Sequence, residues 1–392
     1  FTSRSPLFEE VQSPDGNAVY RTVSKKLQWF NQQEFPVKKE ANDYRIFCMG
    51  GSTTYGHPYS DGTSFNGWLR EYLKAADSAK NWQVINAGGI SYASYRVASL
   101  MEELIQYEPD LFIIYCGQNE FLERRTYSQL ISTPRAVRET AAVLGQSRIF
   151  SSIRTLLGKS HSRGPQDSSA ANKLPGEVEA ILDGSVGPDD YQRDEAQRSQ
   201  IVAHYRFNLV RMIEIARSAG AKILFVNPAV NERSMSPFKS EHGNDLEPAD
   251  LTRWEELTAQ ATALRKAGEL AEALSSLNRA VEIDPFYADT HFQRGEILFK
   301  LEQYPEAKQA FQRAIDEDVC PLRMLSEMHP VISEVAAQHN VPLVDFQQML
   351  EGKFETGITG EEWFLDHVHP TIEGYRELAL RLFDELCSLG IV

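Results

Sequence analysis

The chain has 392 residues, of which 42% are hydrophobic and 24% are charged, and its formal net charge is −15. This length exceeds what one hydrophobic core usually organises, so we expect a main domain with an insertion or a second module. The negative charge disfavours binding to nucleic acids or anionic lipid surfaces, and no apolar run is long enough to span a membrane.

Cysteines occur at four distant positions: Cys48, Cys116, Cys320 and Cys387. We interpret them as small core residues, because their spacing fits neither a disulfide framework nor a CxxC metal site. The first residue is Phe1 rather than Met, which predicts that an upstream segment such as a signal peptide or membrane anchor has been removed. We therefore expect an extracytoplasmic location, with the cytoplasm as the alternative.

Short apolar runs rich in β-branched residues alternate with amphipathic segments along most of the chain. The predicted strands are residues 45–50, 82–88, 111–117, 221–229 and 341–346. The predicted helices are residues 64–76, 92–107, 203–220 and 322–340. This alternation is typical of a parallel sheet built from βαβ units.

Residues 159–195 are rich in Ser, Gly, Pro and Asp and carry no sustained period, so they are expected to form a long surface loop. Such a loop near the carboxyl end of a strand could act as a lid over a site. A flexible insertion without a role is the alternative.

A helical block between the fourth and fifth predicted strands repeats itself with an offset of 34 residues. Small and large apolar positions of the first copy recur in the second: Ala261, Ala273, Leu277 and Ala280 correspond to Gly295, Ala307, Phe311 and Ala314. The period resembles a tetratricopeptide repeat, and an ordinary helical hairpin is the alternative. Two repeats bury little core by themselves, so we expect the following helix or the main domain to cap them.

The first predicted strand ends in two glycines followed by Ser52. Glycines permit a tight turn here, and the helix after the turn points its free N–H groups toward it. Ligands bind at the carboxyl ends of the strands in a parallel sheet. Ser52 is therefore a candidate nucleophile.

The next two strands end in the sequences NAGG and CGQNE, which place Gly88 and Asn119 at the same edge. A backbone N–H of Gly88 and the side-chain amide of Asn119 are the kind of donors that an oxyanion hole needs. A turn or a helix cap is the alternative role for Asn119.

Near the C-terminus, Asp366 and His369 lie three residues apart in the segment DHVHP. A carboxylate at this spacing can hold one imidazole nitrogen while the other faces a serine hydroxyl, which needs such a base to become nucleophilic. His367 is the competing base, although adjacent side chains generally point apart. A zinc site at D-H-V-H is a further alternative, but no other cluster supplies the remaining ligands.

Taken in chain order, the segments around Ser52, Gly88, Asn119 and Asp366/His369 resemble the four sequence blocks of SGNH (GDSL-like) hydrolases. The resemblance covers residues 45–229 and 321–392. It implies a three-layer α/β/α flavodoxin-like fold, no cofactor or metal, and attack by Ser52 on an ester carbonyl. The implied oxyanion hole consists of the N–H groups of Ser52 and Gly88 and the side chain of Asn119. One departure is Gly51, which stands where the family usually has an acidic residue.

The chain is accordingly divided into an N-terminal extension (1–44), a first hydrolase part (45–229), a helical insertion (230–320) and a C-terminal hydrolase part (321–392). Substrate contacts are expected from a polar and aromatic rim, with an ordinary polar surface as the alternative. Tyr55, His57 and Gln118 are the principal candidates. The other members of the rim are Tyr59, Glu120, Arg124 and Arg125.

The rim favours a small or carbohydrate-linked acyl ester as the substrate. Transfer of the acyl group to another hydroxyl would use the same residues, so an O-acyltransferase is the first alternative. A non-catalytic scaffold, whose repeats bind a protein partner or a second copy of the chain, is an alternative of another class. For the insertion we favour a wall that limits substrate size, because two repeats offer little groove for a peptide.

Overall fold

The computed structural model describes residues 5–122 and 191–392. Its centre is a sheet of five parallel strands: β4 (Asp43–Gly50), β5 (Asn81–Gly88), β6 (Leu111–Tyr115), β7 (Lys222–Asn227) and β8 (Leu343–Asp345). Their order across the sheet is β5-β4-β6-β7-β8. Counted along the sheet-forming part of the chain this order is 2-1-3-4-5, which is the flavodoxin-like order and confirms the predicted fold class.

The sheet strands are continuous apolar runs because both of their faces are covered. All five residues of β6 are buried, as are most of those in β4 and β5. Strands of this kind are typical of parallel sheets with helices on both sides. Gly50, the last residue of β4, pairs with Gly88 on one side and Tyr115 on the other, so the segments that follow these strands begin next to one another.

Helices form a layer on each face of the sheet. One core cluster joins the sheet to α3 (Ser94–Leu104), α4 (Glu195–Ser218) and α9 (Met328–His339). The other joins it to α2 (Phe65–Ala76), α10 (Phe346–Glu351) and α11 (Ile372–Ser388). A short helix, α1 (Ser52–Tyr55), follows β4, and single 3-10 turns cover Ser24–Lys26, Asp61–Thr63 and Ile105–Tyr107. None of the described helices is long and apolar enough to cross a membrane.

The four cysteines are free, and three of them are buried as expected. Burial raises the pKa of the thiols of Cys48 and Cys116, so these groups stay protonated. Cys387 is different because it lies exposed near the end of α11. The interpretation of all four as core residues is therefore wrong for Cys387.

The N-terminal residues form a small antiparallel sheet that the sequence pattern did not predict. Its strands are β1 (Phe8–Gln12), β2 (Ala18–Thr22) and β3 (Glu34–Pro36). Arg45 of β4 fastens this sheet to the main domain, since its guanidinium donates to the carbonyl of Pro36 (2.9 Å) and lies 5.0 Å from the ring centre of Phe35. Arg45 is fully buried and also donates to the Oε1 of Gln83 (2.8 Å).

The insertion between β7 and β8 consists of helical pairs. Its helices are α5 (Pro248–Ala267), α6 (Leu270–Ile283), α7 (Ala288–Lys300) and α8 (Tyr304–Asp316). The small residue at 295 is required by packing, because a Cβ on Gly295 would lie 2.7 Å from ring atoms of Phe311. The main domain caps the second pair: Ile358 belongs to the same apolar cluster as Phe311, and Lys308 forms an ion pair with Glu351. This is the capping that the sequence predicted.

The insertion leaves and rejoins the main domain at one place. The backbone N–H groups of Phe238 and Lys239, at its entrance, donate to the carboxylate of Asp318 at its exit (2.7 and 2.9 Å). This place lies beyond the carboxyl end of β7, the edge of the sheet at which the nucleophile turn also begins. Of the predicted loop, residues 159–190 lie outside the described part of the chain, so the lid hypothesis stays a prediction.

Candidate active site

The turn after β4 presents Ser52 as the first residue of α1. Gly50 and Gly51 make the turn without side chains, and a Cβ at Gly50 would overlap with the carbonyl oxygen of Tyr115 and the hydroxyl of Thr54. Gly51 precedes the helix in an extended conformation. The N–H of Ser52 donates to no acceptor in the described part of the chain, as is usual for the first N–H of a helix.

The imidazole of His369 connects Ser52 to Asp366. Its Nε2 lies 2.7 Å from the Oγ of Ser52, and its Nδ1 lies 2.7 Å from Oδ2 of Asp366. The other carboxylate oxygen, Oδ1, accepts hydrogen bonds from the backbone N–H groups of Val368 and His369 (2.9 and 2.8 Å). The structure therefore brings together Ser52, His369 and Asp366, the three residues that the sequence predicted to act together.

The charge state of Asp366 fixes the direction of these hydrogen bonds. Burial alone would raise the pKa of Asp366, but the hydrogen bonds and charge of His369 hold this pKa well below its usual range. An ionised carboxylate can only accept, so Nδ1 of His369 carries the proton and donates it to Asp366. Nε2 is then the acceptor that faces the hydroxyl of Ser52, as general-base catalysis requires.

His367, the competing base, makes different contacts from His369. Its ring packs edge-on against Phe238, with centres 5.1 Å apart, and its Nδ1 is 3.5 Å from Asp366. Burial lowers the pKa of His367 to about 4, so the ring is neutral near pH 7. Among the described residues no group of three or more His, Cys, Asp and Glu side chains could hold a metal ion. The geometry thus favours His369 as the base and lends no support to the zinc alternative.

Asn119 lies directly beside the nucleophile turn. A Cβ at Gly51 would overlap with Nδ2 of Asn119, so the amide reaches the backbone immediately before Ser52. Nδ2 donates one hydrogen to the carbonyl of Tyr92 at 3.1 Å. A side-chain amide has two donor hydrogens, and the second remains for a ligand. The bond to Tyr92 joins two loops, whereas a helix cap or Asx turn would bind the local backbone.

The structure does not support the predicted use of Gly88 as an oxyanion donor. Its N–H donates to Oδ1 of Asn86 at 3.0 Å and is therefore already engaged. A Cβ at Gly88 would overlap with the backbone N of Tyr55 and lie 2.7 Å from the carbonyl carbon of Thr54. Glycine at this position instead allows α1 to pack against the end of β5.

An N–H without an acceptor, which sequence analysis did not single out, follows in the same loop. Ser91 has a left-handed backbone with φ of +63°, which is uncommon for a residue with a side chain. Its N–H donates to no acceptor in the described part of the chain, although the N–H groups of Gly89, Ile90 and Tyr92 all do. A positive φ at a non-glycine residue cannot be recognised from a serine in a sequence. Strained conformations of this kind often occur at functional sites.

The predicted rim residues fall into two groups. His57 is exposed with its ring centre 5.0 Å from that of His369, and Tyr55 is half-buried with its carbonyl held by Asn31 (2.7 Å) and Asn86 (3.1 Å). Burial and the neighbouring His369 lower the pKa of His57, so its neutral ring can donate or accept a hydrogen bond.

Gln118 and Glu120 do not belong to an exposed rim. Gln118 is buried, and its amide donates to the carbonyl of Ala229 at 2.9 Å, so the structure does not support its prediction as a substrate contact. Glu120 is also buried and accepts hydrogen bonds from the N–H (2.8 Å) and hydroxyl (2.7 Å) of Ser94. Tyr59 packs partly buried against the core, and Arg124 and Arg125 lie outside the described residues.

Comparison with known proteins gives a specific match for the helical insertion. Models described as "TPR repeat" and "Tetratricopeptide repeat" match residues 261–302 and 288–318, which confirms the predicted repeats. An uncharacterised protein of Methanocaldococcus jannaschii is 38% identical over 48 residues, which are 12% of this chain and 56% of that protein. The match thus spans little more than half of that relative.

Several solved structures are similar over most of the chain. A GDSL-like lipase from Bacteroides thetaiotaomicron is 12% identical, with 91% of this chain and 93% of that chain covered and a TM-score of 0.37. An acetylxylan esterase from Geobacillus stearothermophilus is 10% identical, with 89% and 96% covered and a TM-score of 0.39. A lipase/acylhydrolase from Enterococcus faecalis is 14% identical, with 87% and 95% covered and a TM-score of 0.37.

Proposed function

We propose that this chain is a serine esterase that cleaves a carboxylic ester through an acyl-enzyme on Ser52. The observation that carries this proposal is the line of hydrogen bonds in which Nε2 of His369 faces Oγ of Ser52 at 2.7 Å and Nδ1 faces Asp366 at 2.7 Å. Ser52 lies near one end of the chain, and Asp366 and His369 lie near the other.

In the first half of the reaction, the ester carbonyl carbon is attacked by Oγ of Ser52 while Nε2 of His369 takes the hydroxyl proton. Asp366 stabilises the imidazolium that forms, because its ionised carboxylate accepts a hydrogen bond from Nδ1 of His369 while the proton stays on Nδ1. The protonated Nε2 then donates to the leaving alcohol oxygen. The alcohol departs and the acyl group stays on Ser52.

The negative charge that develops on the carbonyl oxygen needs fixed donors close to Ser52. The N–H of Ser52 and the second hydrogen of Asn119 Nδ2 are the first two candidates, and the N–H of Ser91 replaces that of Gly88 as the third. Support comes from the proximity of Asn119 to Gly51 and from the absence of other acceptors for Ser52 and Ser91 in the described part of the chain. Donors fixed in advance stabilise this charge at little reorganisation cost.

In the second half, His369 removes a proton from water, the hydroxide attacks the acyl carbon, and the acid leaves as Nε2 returns the proton to Oγ of Ser52. The exposed ring of His57 beside His369, with the half-buried Tyr55, supports a polar substrate such as a small or carbohydrate-linked acyl ester. The insertion, residues 230–320 in our division of the chain, is proposed as a wall that limits the size of that ester.

A panel of p-nitrophenyl esters of increasing chain length and of acetylated sugars tests the proposal. We expect release of acid from the short esters or the sugars by the wild type and none above background by Ser52→Ala. Adding an acceptor alcohol and analysing the products separates hydrolysis from acyl transfer. Equal activity of wild type and Ser52→Ala would overturn the proposal.

A further inference from the structure

We propose that Asn231 is a positioning residue that fastens the Asp366–His369 turn to both ends of the helical insertion. The inference rests on the function proposed above, because it assigns a role in the alignment of the same triad. Asn231 lies four residues beyond the end of β7, at the start of the insertion and before its first helix, and it was not among the residues predicted from the sequence.

Asn231 makes two hydrogen bonds to the backbone of the turn. Its Nδ2 donates to the carbonyl oxygen of Asp366 at 2.9 Å, and its own N–H donates to the carbonyl oxygen of His367 at 3.0 Å. Its Oδ1 accepts from the N–H of Ser234 at 2.9 Å, which fixes the orientation of the amide. Only 2% of Asn231 is exposed, so water cannot easily replace these bonds.

Arg323, which follows the end of the insertion, also contacts Asn231. Arg323 is buried, and its Nη1 donates to the carbonyl oxygens of Asn231 (3.0 Å) and Met235 (2.8 Å). The carboxylate of Asp318, 3.8 Å from Nη2 of Arg323, also accepts from the backbone of the entrance segment. Entrance, exit and catalytic turn are therefore joined in one buried network.

The second repeat contacts the same network through Arg233. The guanidinium of Arg233 lies 4.8 Å from the ring centre of Phe299 in α7, and its Nη2 forms an ion pair with Glu362 at 2.7 Å. Next to it, Glu232 accepts a hydrogen bond from the N–H of Thr359 (3.0 Å), whose hydroxyl donates to the carbonyl of Val230 (2.6 Å). Residues 359–362 lead directly into the turn that carries Asp366. The insertion is thus packed against both segments that position the triad carboxylate.

This arrangement has a catalytic consequence. Attack by Ser52 depends on a bond of 2.7 Å between Nδ1 of His369 and Asp366, and the carbonyl of Asp366 is held by Asn231. A small displacement of a catalytic group lowers turnover without weakening substrate binding when the substrate contacts lie elsewhere. Loss of Asn231 should therefore lower kcat rather than raise KM.

The test compares Asn231→Ala and Asn231→Asp with Asn227→Ala in the full chain. Asn227 is a matched control because it is an asparagine with the same exposure, 2%, on the same chain segment, and its amide binds Asp345 and His329 instead of the turn. Asn231→Asp keeps an acceptor for Ser234, replaces the donor to Asp366 with a carboxylate oxygen and adds a buried negative charge, so it is a second variant of nearly the same volume if the alanine variant does not fold.

We expect both Asn231 variants to lower kcat and the rate of fluorophosphonate labelling of Ser52 by roughly 10- to 100-fold, with KM changed less than about twofold. The low-field proton NMR signal of the His369–Asp366 bond should shift or broaden in them and stay in place in Asn227→Ala. Unchanged kcat and labelling in the Asn231 variants, or equal losses in Asn227→Ala at equal thermal stability, would overturn the inference. An inactive and unlabelled wild type would instead contradict the proposed function.

Discussion

A methyl group at Gly51 would overlap with the Nδ2 atom of Asn119. The missing side chain before the nucleophile thus makes room for the amide that is proposed to bind the oxyanion. Gly51 is also the position at which the sequence departs from the acidic residue usual in SGNH hydrolases. In this chain, Asn119 occupies the space that a side chain at that position would enter.

Gly51→Ala should therefore behave as an oxyanion-hole variant although it changes no polar group. The methyl group must displace Asn119, so we expect kcat to fall by about 100-fold with little change in KM. Adding Asn119→Ala to Gly51→Ala should cost little more, because both changes remove the same interaction. Additive losses in the double variant would mean that Gly51 acts on Ser52 itself.

Asn119→Ala by itself should lower kcat by roughly 10²–10³-fold while KM changes little, as expected for a donor that acts mainly on the developing charge. Steady-state kinetics on the best short ester measure both constants. A large rise in KM at unchanged kcat would make Asn119 a substrate-binding residue and remove it from the oxyanion hole.

The two histidines of the turn should differ sharply. His369→Ala should lose several powers of ten in kcat, and combining it with Ser52→Ala should be little worse than either change alone, because the residues act as a unit. His367→Ala should retain most of the activity, since its ring packs against Phe238 and not against Ser52. If His367→Ala lost the activity and His369→Ala kept it, the assignment of the base would be wrong.

Glu232 should make the free energy of unfolding depend on pH. Burial raises the pKa of Glu232 to about 7 from an ordinary value of 4.5. Below 4.5 the carboxyl is protonated in both the folded and the unfolded chain and has no effect. Between 4.5 and about 7 the unfolded chain releases the proton and the folded chain keeps it, so stability falls as pH rises.

Glu232→Gln keeps an acceptor for Thr359 and removes this titration. Urea unfolding at pH 5 and pH 8 should show that the variant gains stability relative to the wild type as pH rises, by on the order of 3 kcal/mol at most. A difference in unfolding free energy that is the same at both pH values would show that Glu232 is not held protonated.

The sequence was most informative where chemistry depends on local order along the chain. A serine after a glycine-rich strand end, and an aspartate three residues before a histidine, can be recognised because each is held by its own short turn. The order of the parallel strands then brings the two turns together, and alternating apolar and amphipathic segments were enough to predict that sheet.

The hydrogen-bond partners of individual groups were not predictable in this way. The N–H of Gly88 was assigned to the oxyanion because of its position, but it donates to the side chain of Asn86, whereas the N–H of Ser91, which has a left-handed backbone, donates to no acceptor in the described part of the chain. The sequence placed Gln118 beside Asn119 as a substrate contact, but its amide donates to the carbonyl of Ala229. The hydrogen bond from Asn231 to the carbonyl of Asp366 likewise joins residues that are 135 positions apart.

The residue at which a fluorophosphonate probe reacts tests most directly whether Ser52 is the nucleophile. Intact mass and peptide mapping of the wild type should show one adduct, located on Ser52, and the adduct should be absent from Ser52→Ala and formed far more slowly in His369→Ala. An adduct on another residue, or ester hydrolysis by a protein in which Ser52 stays unmodified, would contradict the assignment of Ser52 as the nucleophile.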